Sequence, residues 1–523
     1  MGTKTHNNYE DLITFTRASA GHALRPVSYG TELVANGTFD SDTSNWTPEN
    51  SATLSIDNEK LKIVSSSSAD LAATQVINVS AGSVYFLTSD NTDGDVQAYI
   101  RIIDSDGSTN LYDTLSSGGD GQAVVVPSGS TLTFQLRGVF TTTGQAVYFD
   151  NISVKEVTFD ESDGTLTLFE HPDNIPRVEY DADGNRLGLL IEETRTNLIA
   201  NSDFDAGVSQ SGVTITANAS ESPDGLQNAT SLDLTSSSGF SYFTVSVTAG
   251  TEYTWSWFAK AGTATAHVYA VYDTTNAAFV SREEYTLTSG QNYGNGWYRH
   301  TETFTAPTGC TEVRVYAIRG TTSSGSPAGV QGTTFVWGGQ LEADAFASSI
   351  IRTTGATATR SGDVASIPTA DFGYNHKEGT ILVEFSGQFN DGGTGFPRPW
   401  EISGNNSSND RVLNYISEAS GNLSAEVRNG GTQTVGMTVD SNIGSPFTAI
   451  KSAFAFKADD FAATENGDTP VTDTNGSFTP SVPRDTLGLM AQITGGNILN
   501  GHMKSIKYYP RRLTNAQLQD LTS

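Results

Sequence analysis

Residues 247–259 read Val-Thr-Ala-Gly-Thr-Glu-Tyr-Thr-Trp-Ser-Trp-Phe-Ala, a tight turn followed by an alternating strand. Gly250 supplies a backbone conformation that other residues resist, which is typical of a turn between two strands. After the turn, Tyr253, Trp255 and Trp257 point to one side and the residues between them to the other. The stretch therefore predicts a half-buried strand of a β-sandwich.

The same pattern occurs earlier in the chain, so the sequence contains a repeat. The turn is also found at Val79–Tyr85, and the motif at Asn36–Asp40 returns at Asn201–Asp205. A third pair, Pro127–Thr131 and Pro307–Thr311, follows in the same order. Three ordered matches predict two related β-sandwich modules of the size of a jelly roll.

Composition supports an all-β chain of several domains. Its 523 residues include 52 glycines and 10% aromatic residues, a mixture that suits short strands joined by polar turns. The net charge of −29 disfavours binding to nucleic acid, because it repels phosphate. No apolar run is long enough to span a bilayer, and residues 1–8 lack the apolar core of a secretory signal.

The expected organisation has six parts. They are an N-terminal attachment segment (1–30), a first jelly-roll module (31–157), a structured connector (158–195), a second module (196–350), a linker (351–365) and a third sandwich (366–523). The connector is apolar at residues 187–192, so we expect it to dock as strands. Near the end, Thr514 is predicted to cap a short helix that carries Leu518 and Leu521 on one face.

Two parts of the chain resemble known carbohydrate-associated folds. Residues 31–157 resemble carbohydrate-binding modules of the family 4/9 type, through Asn36–Asp40, Trp46 and Val147–Val154. Residues 366–523 are similar to concanavalin-A-like lectin/glucanase sandwiches, through the closing strand and tail at residues 506–514.

Separated strings elsewhere resemble a framework that is common in phage tail and tail-fibre proteins. They are Ile13–Ser19, Pro176–Tyr180, Gly188–Leu198, Trp337–Glu342 and Gly355–Arg360, in the expected order. The first two strings usually stand close together in that framework. Here the first module lies between them, which makes it look like an insertion.

The resemblance to carbohydrate-binding modules implies glycan contacts by exposed aromatic rings, since these stack on sugar faces. The candidates are Trp46, Tyr99, Tyr112 and Trp400. The alternative for each is packing in the core. Trp255 and Trp257 are interpreted as core residues.

Jelly rolls of this type often hold a structural calcium ion through oxygen ligands. Asp40 and Asp150 are the candidate ligands in the first module, and Asp205 and Glu342 in the second. The alternative is that all four are ordinary turn carboxylates. No cofactor is expected to be required, and Cys310 is interpreted as a small structural residue.

The sequence favours a protein that is not an enzyme. The candidate catalytic strand at residues 381–385 carries the single acid Glu384, and Asp459–Asp460 falls in a turn. No nucleophile motif or phosphate-binding loop is present.

The resemblances together imply a virion structural protein, a tail fibre or another peripheral tail component of a bacteriophage, which recognises host-surface glycans. Its expected partners are other tail proteins and those glycans. We expect a homo-oligomer, by analogy with fibres a trimer, that is synthesised in the host cytoplasm. Two alternatives stay open: a purely architectural virion protein, and a glycoside hydrolase or accessory glycan-binding protein.

Overall fold

The computed structural model describes residues 12–66, 70–92, 94–113, 121–320, 331–390, 392–404 and 407–523. These residues form antiparallel sheets, whose strands are numbered below in chain order. The chain separates into two compact units, Pro26–Thr165 and the remainder. The prediction of an all-β chain of tandem β-sandwiches is confirmed.

The unit Pro26–Thr165 is a sandwich of two sheets. In spatial order, one sheet contains β10 (Gly121–Val125), β7 (Val84–Thr92), β12 (Ala146–Phe159) and β2 (Gly21–Tyr29), and β5 (Lys60–Val64) pairs with both β12 and β4 (Thr53–Asp57). The other contains β3 (Thr47–Glu49), β6 (Asp70–Asn78), β11 (Thr131–Val139), β8 (Ala98–Ile103) and β9 (Asn110–Asp113). Alternate residues of β11, Leu132, Phe134 and Leu136, lie in the core. The chain enters this unit within β2 and leaves it at the start of β13 (Thr165–His171).

The second unit contains two sandwiches, and the first of them covers most of the second repeat. One sheet has the order β17 (Ser209–Ser211), β20 (Phe240–Ser246), β26 (Glu312–Arg319), β22 (Ala266–Asp273) and β23 (Ala278–Thr286). The other has the order β18 (Val213–Ser220), β19 (Ala229–Leu234), β27 (Gly332–Glu342), β21 (Glu252–Ala261), β25 (Trp297–Thr305) and β24 (Gln291–Asn292). Trp255 and Trp257 lie between these sheets, fully buried. The strand was predicted to be half-buried, but Phe258 on its other face is also fully buried because it packs against Trp337 and Tyr293.

The repeated residues have the same structural role in both copies. Gly82 and Gly250 both have a φ of +79°, which favours glycine, and each stands in the turn before a strand. Three residues after each glycine, the hydroxyl of Tyr85 or Tyr253 accepts a hydrogen bond of 2.8 Å from a backbone N–H in the turn. The repeat therefore encodes one turn-and-strand unit twice.

The third sandwich is formed by the C-terminal part of the chain together with strands from earlier segments. One sheet contains β1 (Thr14–Thr16), β29 (Val364–Pro368), β38 (Thr486–Leu489), β31 (Trp400–Gly404), β32 (Ser407–Ile416), β33 (Leu423–Asn429) and β34 (Thr432–Asp440). The other contains β14 (Arg177–Tyr180), β15 (Arg186–Ile191), β39 (Asn500–Tyr509), β30 (Glu378–Gln388), β35 (Phe447–Lys457), β36 (Phe461–Glu465) and β37 (Val471–Asp473). The connector thus supplies strands, as its apolar run indicated. The second unit also contains a two-stranded ribbon of β16 (Arg195–Asn197) and β28 (Ala358–Arg360) and a 3-10 turn at Thr369–Phe372.

The chain ends in helix α1 (Asn515–Thr522), where the structure confirms the predicted cap. The Thr514 side chain accepts a hydrogen bond from the Gln517 backbone N–H, and the Gln517 side chain accepts one from the Thr514 N–H. Leu518 is fully buried, and Leu521 packs beside it. Among the described residues, no helix is long and apolar enough to cross a membrane.

The linker and the attachment segment up to Arg25 belong to the second unit, whereas the last residues of the attachment segment, from Pro26, belong to the other. Residues 1–11 of the proposed attachment segment lie outside the described residues, but β1 pairs with β29 from Thr14 to Thr16. The proposed linker at 351–365 contains β28 and the first residues of β29. Both stretches also carry charged residues, Arg17 in the first and Arg360 and Asp363 in the second, that form buried ion pairs.

These residues belong to a buried ion-pair network. Asp363 accepts from Arg177 Nη2 at 2.6 Å and from Arg17 Nη1 at 3.3 Å, and all three side chains are fully buried. Glu192 pairs with Arg177 at 2.9 Å and with Arg360 at 3.0 Å. Burial alone would raise the pKa of Glu192, but the guanidinium groups of Arg360 and Arg177 outweigh it and hold this pKa well below its usual range.

The network joins strings that are far apart in sequence. Its four members besides Asp363 come from the four strings Ile13–Ser19, Pro176–Tyr180, Gly188–Leu198 and Gly355–Arg360, on which the resemblance to the phage framework rests. Replacing one partner of such a buried pair leaves an uncompensated charge. The charged residues of these four strings therefore stabilise the fold.

Candidate functional site

The structure gives two of the predicted glycan contacts core positions. Trp46 is 5% exposed; its ring packs edge-on against Phe134, and its Nε1 donates to the Asn36 carbonyl at 3.0 Å. Tyr99 is fully buried, and its hydroxyl accepts from Arg137 Nε at 2.9 Å. Neither ring has an open face on which a sugar can stack, so this corrects the expectation of exposed rings.

The other two aromatic candidates also have structural positions. Trp400 was expected to be an exposed ring, but it is the first residue of β31, fully buried, with its Nε1 donating to Asn414 Oδ1 at 2.8 Å. Tyr112 is half-buried against the core of the first sandwich, and its hydroxyl accepts from the Gln122 backbone N–H at 3.2 Å. The core alternative that the sequence left open therefore fits all four residues better.

The predicted calcium ligands are only partly brought together. Partial burial raises the pKa of Asp150, and the carboxylates of Asp90 and Asp40 add to the increase. Asp150 lies directly opposite Asp90 in the pairing of β12 with β7. In the second sandwich, Asp205 is exposed, whereas Glu342 is buried and accepts hydrogen bonds from Ser348 and Gln340. Across the described residues, no three His, Cys, Asp or Glu side chains gather in an arrangement that could hold a metal ion. Calcium therefore stays a prediction.

A different group of residues forms an open polar and aromatic surface on the second sandwich. It lies on the face of the sheet β17-β20-β26-β22-β23 that points away from the sandwich core. We call this surface the platform. Its members are Phe240, Tyr242, Tyr272, Phe279, Arg282, Arg314, Tyr316 and Arg319.

The strand register places the platform residues on one face. Arg314 lies opposite Tyr272 on β22, and Tyr272 lies opposite Phe279 on β23. On the other face of β26, Val313 and Val315 point into the core. The pairing of β20 with β26 is shifted by a bulge near residue 242, which brings Arg319 back to the same face as Arg314.

The rings of the platform contact one another at short range. The Tyr242 and Tyr316 centroids are 5.0 Å apart, and those of Tyr272 and Phe279 are also 5.0 Å apart. Phe240 stacks on Tyr242 at 5.7 Å. Tyr316 is 5% exposed, whereas the other four rings are half-buried. The platform therefore presents aromatic area to solvent on a base fixed by the sheet.

Arginine side chains lie over these rings. The Arg314 guanidinium is 4.7 Å from the Tyr242 centroid and 6.0 Å from that of Tyr272, so it bridges two rings. Arg319 lies 4.8 Å from Phe279 and 5.7 Å from Tyr316. Arg282 is 4.5 Å from Phe279. These distances are typical of cation–π contacts, which fix the orientation of the guanidinium planes.

The charges of Arg314 and Arg319 are not neutralised by carboxylates of the described residues, none of which forms an ion pair with either. The pKa of Arg319 is lowered first by burial, with the charge of Arg282 adding to the effect and Tyr316 opposing it. Two acids stand at the margin: Glu284 follows Arg282 on the same face of β23, and Glu312 begins β26 and accepts from Thr274. The platform is thus a cationic surface on a chain of net charge −29.

The corresponding face of the first sandwich is closed by its own contacts. There, Arg137 donates to the hydroxyl of fully buried Tyr99, and Arg101 Nε donates to Asp113 at 2.7 Å. Alternation along β26 separates Arg314 and Tyr316 from the core residues Val313 and Val315, but the other platform residues, apart from Arg319, come from three further strands. The pairing of four strands, which is not local in sequence, brings these eight residues onto one surface.

A cavity of about 260 Å³ lies elsewhere in the second unit, next to β14 and β39. It contains a contact of 2.6 Å between His502 Nε2 and Glu179 Oε2, and Ser386, which lies opposite His502 on the neighbouring strand. Within the described residues, the Ser386 hydroxyl makes no hydrogen bond to the imidazole. The arrangement therefore lacks the nucleophile–base contact of a catalytic triad.

The acids weighed as catalytic candidates have ordinary partners. Glu384 pairs with Lys504 at 2.8 Å, on a part of the sheet where the lysine is half exposed. Asp460 pairs with Arg512 at 3.0 Å. These contacts explain the acids as surface charges and assign them no further role.

No family model matches the chain, and no curated protein matches it. Among solved structures, the CBM40 module of the Ruminococcus gnavus IT-sialidase is 16% identical, with a TM-score of 0.24 over 28% of this chain and 84% of its own. The CBM22-1–CBM22-2 tandem of Paenibacillus barcinonensis Xyn10C is 13% identical, with a TM-score of 0.21 over 61% and 98%. The enzymatically active domain of bacteriophage CBA120 tailspike protein 4 is 15% identical, with a TM-score of 0.20 over 28% and 21%. Similarity at this level assigns neither a family nor a function.

Proposed function

We propose that this chain is a structural protein of a bacteriophage tail that attaches the particle to glycans on the host surface, through the platform of the second sandwich. The observation that carries the proposal is the set of half-buried rings and arginines on one sheet face. Aromatic faces stack on the C–H faces of sugar rings, and fixed polar groups beside them orient the hydroxyls. The tail location rests on the framework strings identified in the sequence.

The proposed role is binding, without catalysis. An open face on a rigid sheet leaves a polysaccharide free to extend in both directions, which suits adhesion. A single shallow face binds weakly, so attachment gains from several copies acting together. A homotrimer, the assembly expected of a fibre, would present three platforms on one particle appendage.

The test is binding of the purified protein to intact cells of a candidate host, before and after removal of the surface polysaccharide. The informative variant is Tyr242→Ala combined with Tyr272→Ala, which removes two rings and leaves the arginines. Two stacking contacts of about 0.5–1.5 kcal/mol each sum to about 1–3 kcal/mol, which predicts an affinity loss of about 5- to 150-fold. Phe396→Ala is the matched control, because Phe396 is a 50% exposed ring outside the platform.

Three outcomes separate the alternatives. Saturable binding that is lost on stripping and weakened by the double variant, but not by the control, supports the proposal. Equal binding by the native protein and the double variant places the site elsewhere. No binding by a folded native sample favours the purely architectural role. Circular dichroism of each variant verifies that the fold is intact.

A further inference from the structure

We infer that the platform is built for an acidic glycan, one that carries carboxylate groups along its chain; the inference rests on the proposed function. Neutral sugars need aromatic faces and polar groups, but they do not need fixed cations. The platform has three arginines within one sheet face, at Arg282, Arg314 and Arg319. The ligand class follows from the absence of an ion pair at Arg314 and Arg319 within the described residues, and from how these two guanidinium groups are held.

Two arginines of the platform have no acidic partner among the described residues. Arg314 and Arg319 form no ion pair within the described part of the chain, although the protein has 58 acidic residues against 29 basic ones. Other half-buried arginines of this chain are paired, such as Arg352 with Asp203 at 2.6 Å and Arg411 with Glu426 at 2.8 Å. Within the described residues, two neighbouring arginines on one face of an acidic protein thus have no acidic partner, and an external anion can pair with them there.

The geometry of the two guanidinium groups also suits a carboxylate. A guanidinium group carries its N–H donors in its own plane, in a fork that matches the two oxygens of a carboxylate. Because Arg314 lies over Tyr242 and Tyr272, and Arg319 over Phe279 and Tyr316, both groups are fixed before a ligand arrives. Less conformational freedom is then lost on binding, which favours affinity.

The net charge of −29 opposes the approach of an anion. At physiological ionic strength, charges farther apart than about 8 Å are largely screened. The contact charges are therefore decisive, and Glu284 and Glu312 are the acids closest to the face along its strands. Because Glu284 and Glu312 stand at the margin, their charges repel a carboxylate of the ligand least at the centre of the platform.

The experiment uses the full chain and two acidic polymers, polygalacturonic acid and polysialic acid. Each is paired with its carboxyl-reduced derivative, which keeps the backbone and loses the charge. A single-stranded DNA oligonucleotide is the third probe, because rings and arginines also bind bases and phosphates. The variants are Arg314→Gln and Arg319→Gln, with Arg511→Gln as the matched control, since Arg511 is exposed and lies outside the platform.

We expect at least one acidic polymer to bind about 10-fold more tightly than its reduced derivative, which is the gain of one charge-assisted contact. Each platform variant should remove most of that difference without changing the affinity for the reduced polymer, and Arg511→Gln should change neither. Equal binding of acidic and reduced polymers, lost in Tyr242→Ala/Tyr272→Ala, overturns the acidic class and keeps the proposed function. Binding of no polymer overturns the acidic class, and host-cell attachment then decides the proposed function by itself. DNA binding as tight as polymer binding, lost in the same variants, also overturns the inference.

Discussion

Replacing Asp363 by Asn is expected to destabilise the second unit strongly. The side chain keeps its volume but loses the charge that compensates Arg177 at 2.6 Å and Arg17 at 3.3 Å. It also accepts from the Glu192 backbone N–H at 2.8 Å, so an amide N–H turned toward these donors would meet no acceptor. Every group involved is buried, so water cannot replace the missing contacts.

The magnitude follows from removing one partner of a buried network. Such changes cost about 3–5 kcal/mol, because the remaining charge stays buried without compensation. The second unit comprises Met1–Arg25 and Leu166–Ser523, and at an unfolding entropy of about 2.1 cal/mol/K per residue 1 kcal/mol lowers the melting temperature of a unit of this size by about 1.2 °C, which gives a decrease of about 4–6 °C. Urea denaturation followed by tryptophan fluorescence measures the change as a shift of the midpoint at constant slope.

The matched control is Glu384→Gln, which removes an ion pair of similar length at the surface. The Lys504–Glu384 contact is 2.8 Å long, but the lysine is 51% exposed, so its loss should cost about 1 kcal/mol or less. If Asp363→Asn shifts the midpoint no more than this control does, the buried network is not what joins the framework strings, and their stabilising role would have to be abandoned.

Further predictions follow from the core and from titrating groups. Burial and the neighbouring Asp440 raise the pKa of Glu465 to about 7, so the folded state binds the extra proton and stability falls as the pH rises from the usual value of 4.5 through 7; Glu465→Gln should make the urea midpoint depend less on pH over this window, and an unchanged dependence would contradict it. Trp255→Ala should cost about 3–5 kcal/mol in denaturation experiments, because the ring is fully buried between two sheets. The predicted calcium ion at Asp40 and Asp150 requires that EDTA lower the melting temperature of the native protein, that calcium restore it, and that Asp40→Asn/Asp150→Asn not respond; an unchanged melting temperature of the native protein would contradict the calcium prediction.

The sequence predicts the parts of this fold that depend on local patterns. Alternation in residues 247–259 identifies the core tryptophans, and Gly82 and Gly250 identify the repeated turn. The cap at Thr514 is likewise predicted, since its partners lie three residues apart. Each of these features is decided within about ten residues, where the chain periodicity reports directly on the face that is buried.

The positions of single aromatic residues are predicted less well. Trp400 follows Phe396-Pro397-Arg398-Pro399, which indicates a loop, but the residue itself begins a central strand and is covered on both sides. Trp46 lies in a loop of the first sandwich and folds back onto Phe134. Whether a loop tryptophan faces solvent or the core depends on contacts far away in sequence, and no local pattern contains that information.

The platform shows the same limit in a more instructive form. The repeat preserves what both sandwiches need to fold, namely the turn glycine and the tyrosine that accepts from the turn backbone. It does not preserve the sheet face: Arg137 and Tyr99 are tied together and buried in the first copy, whereas Arg314 and Tyr242 stay half-buried in the second. Residues that differ between the two copies are not needed for folding in the way that the turn glycine and the tyrosine are. A second sandwich that held these rings only for stability would have closed them as the first does, and we therefore expect ligand specificity to lie in the differences between the copies.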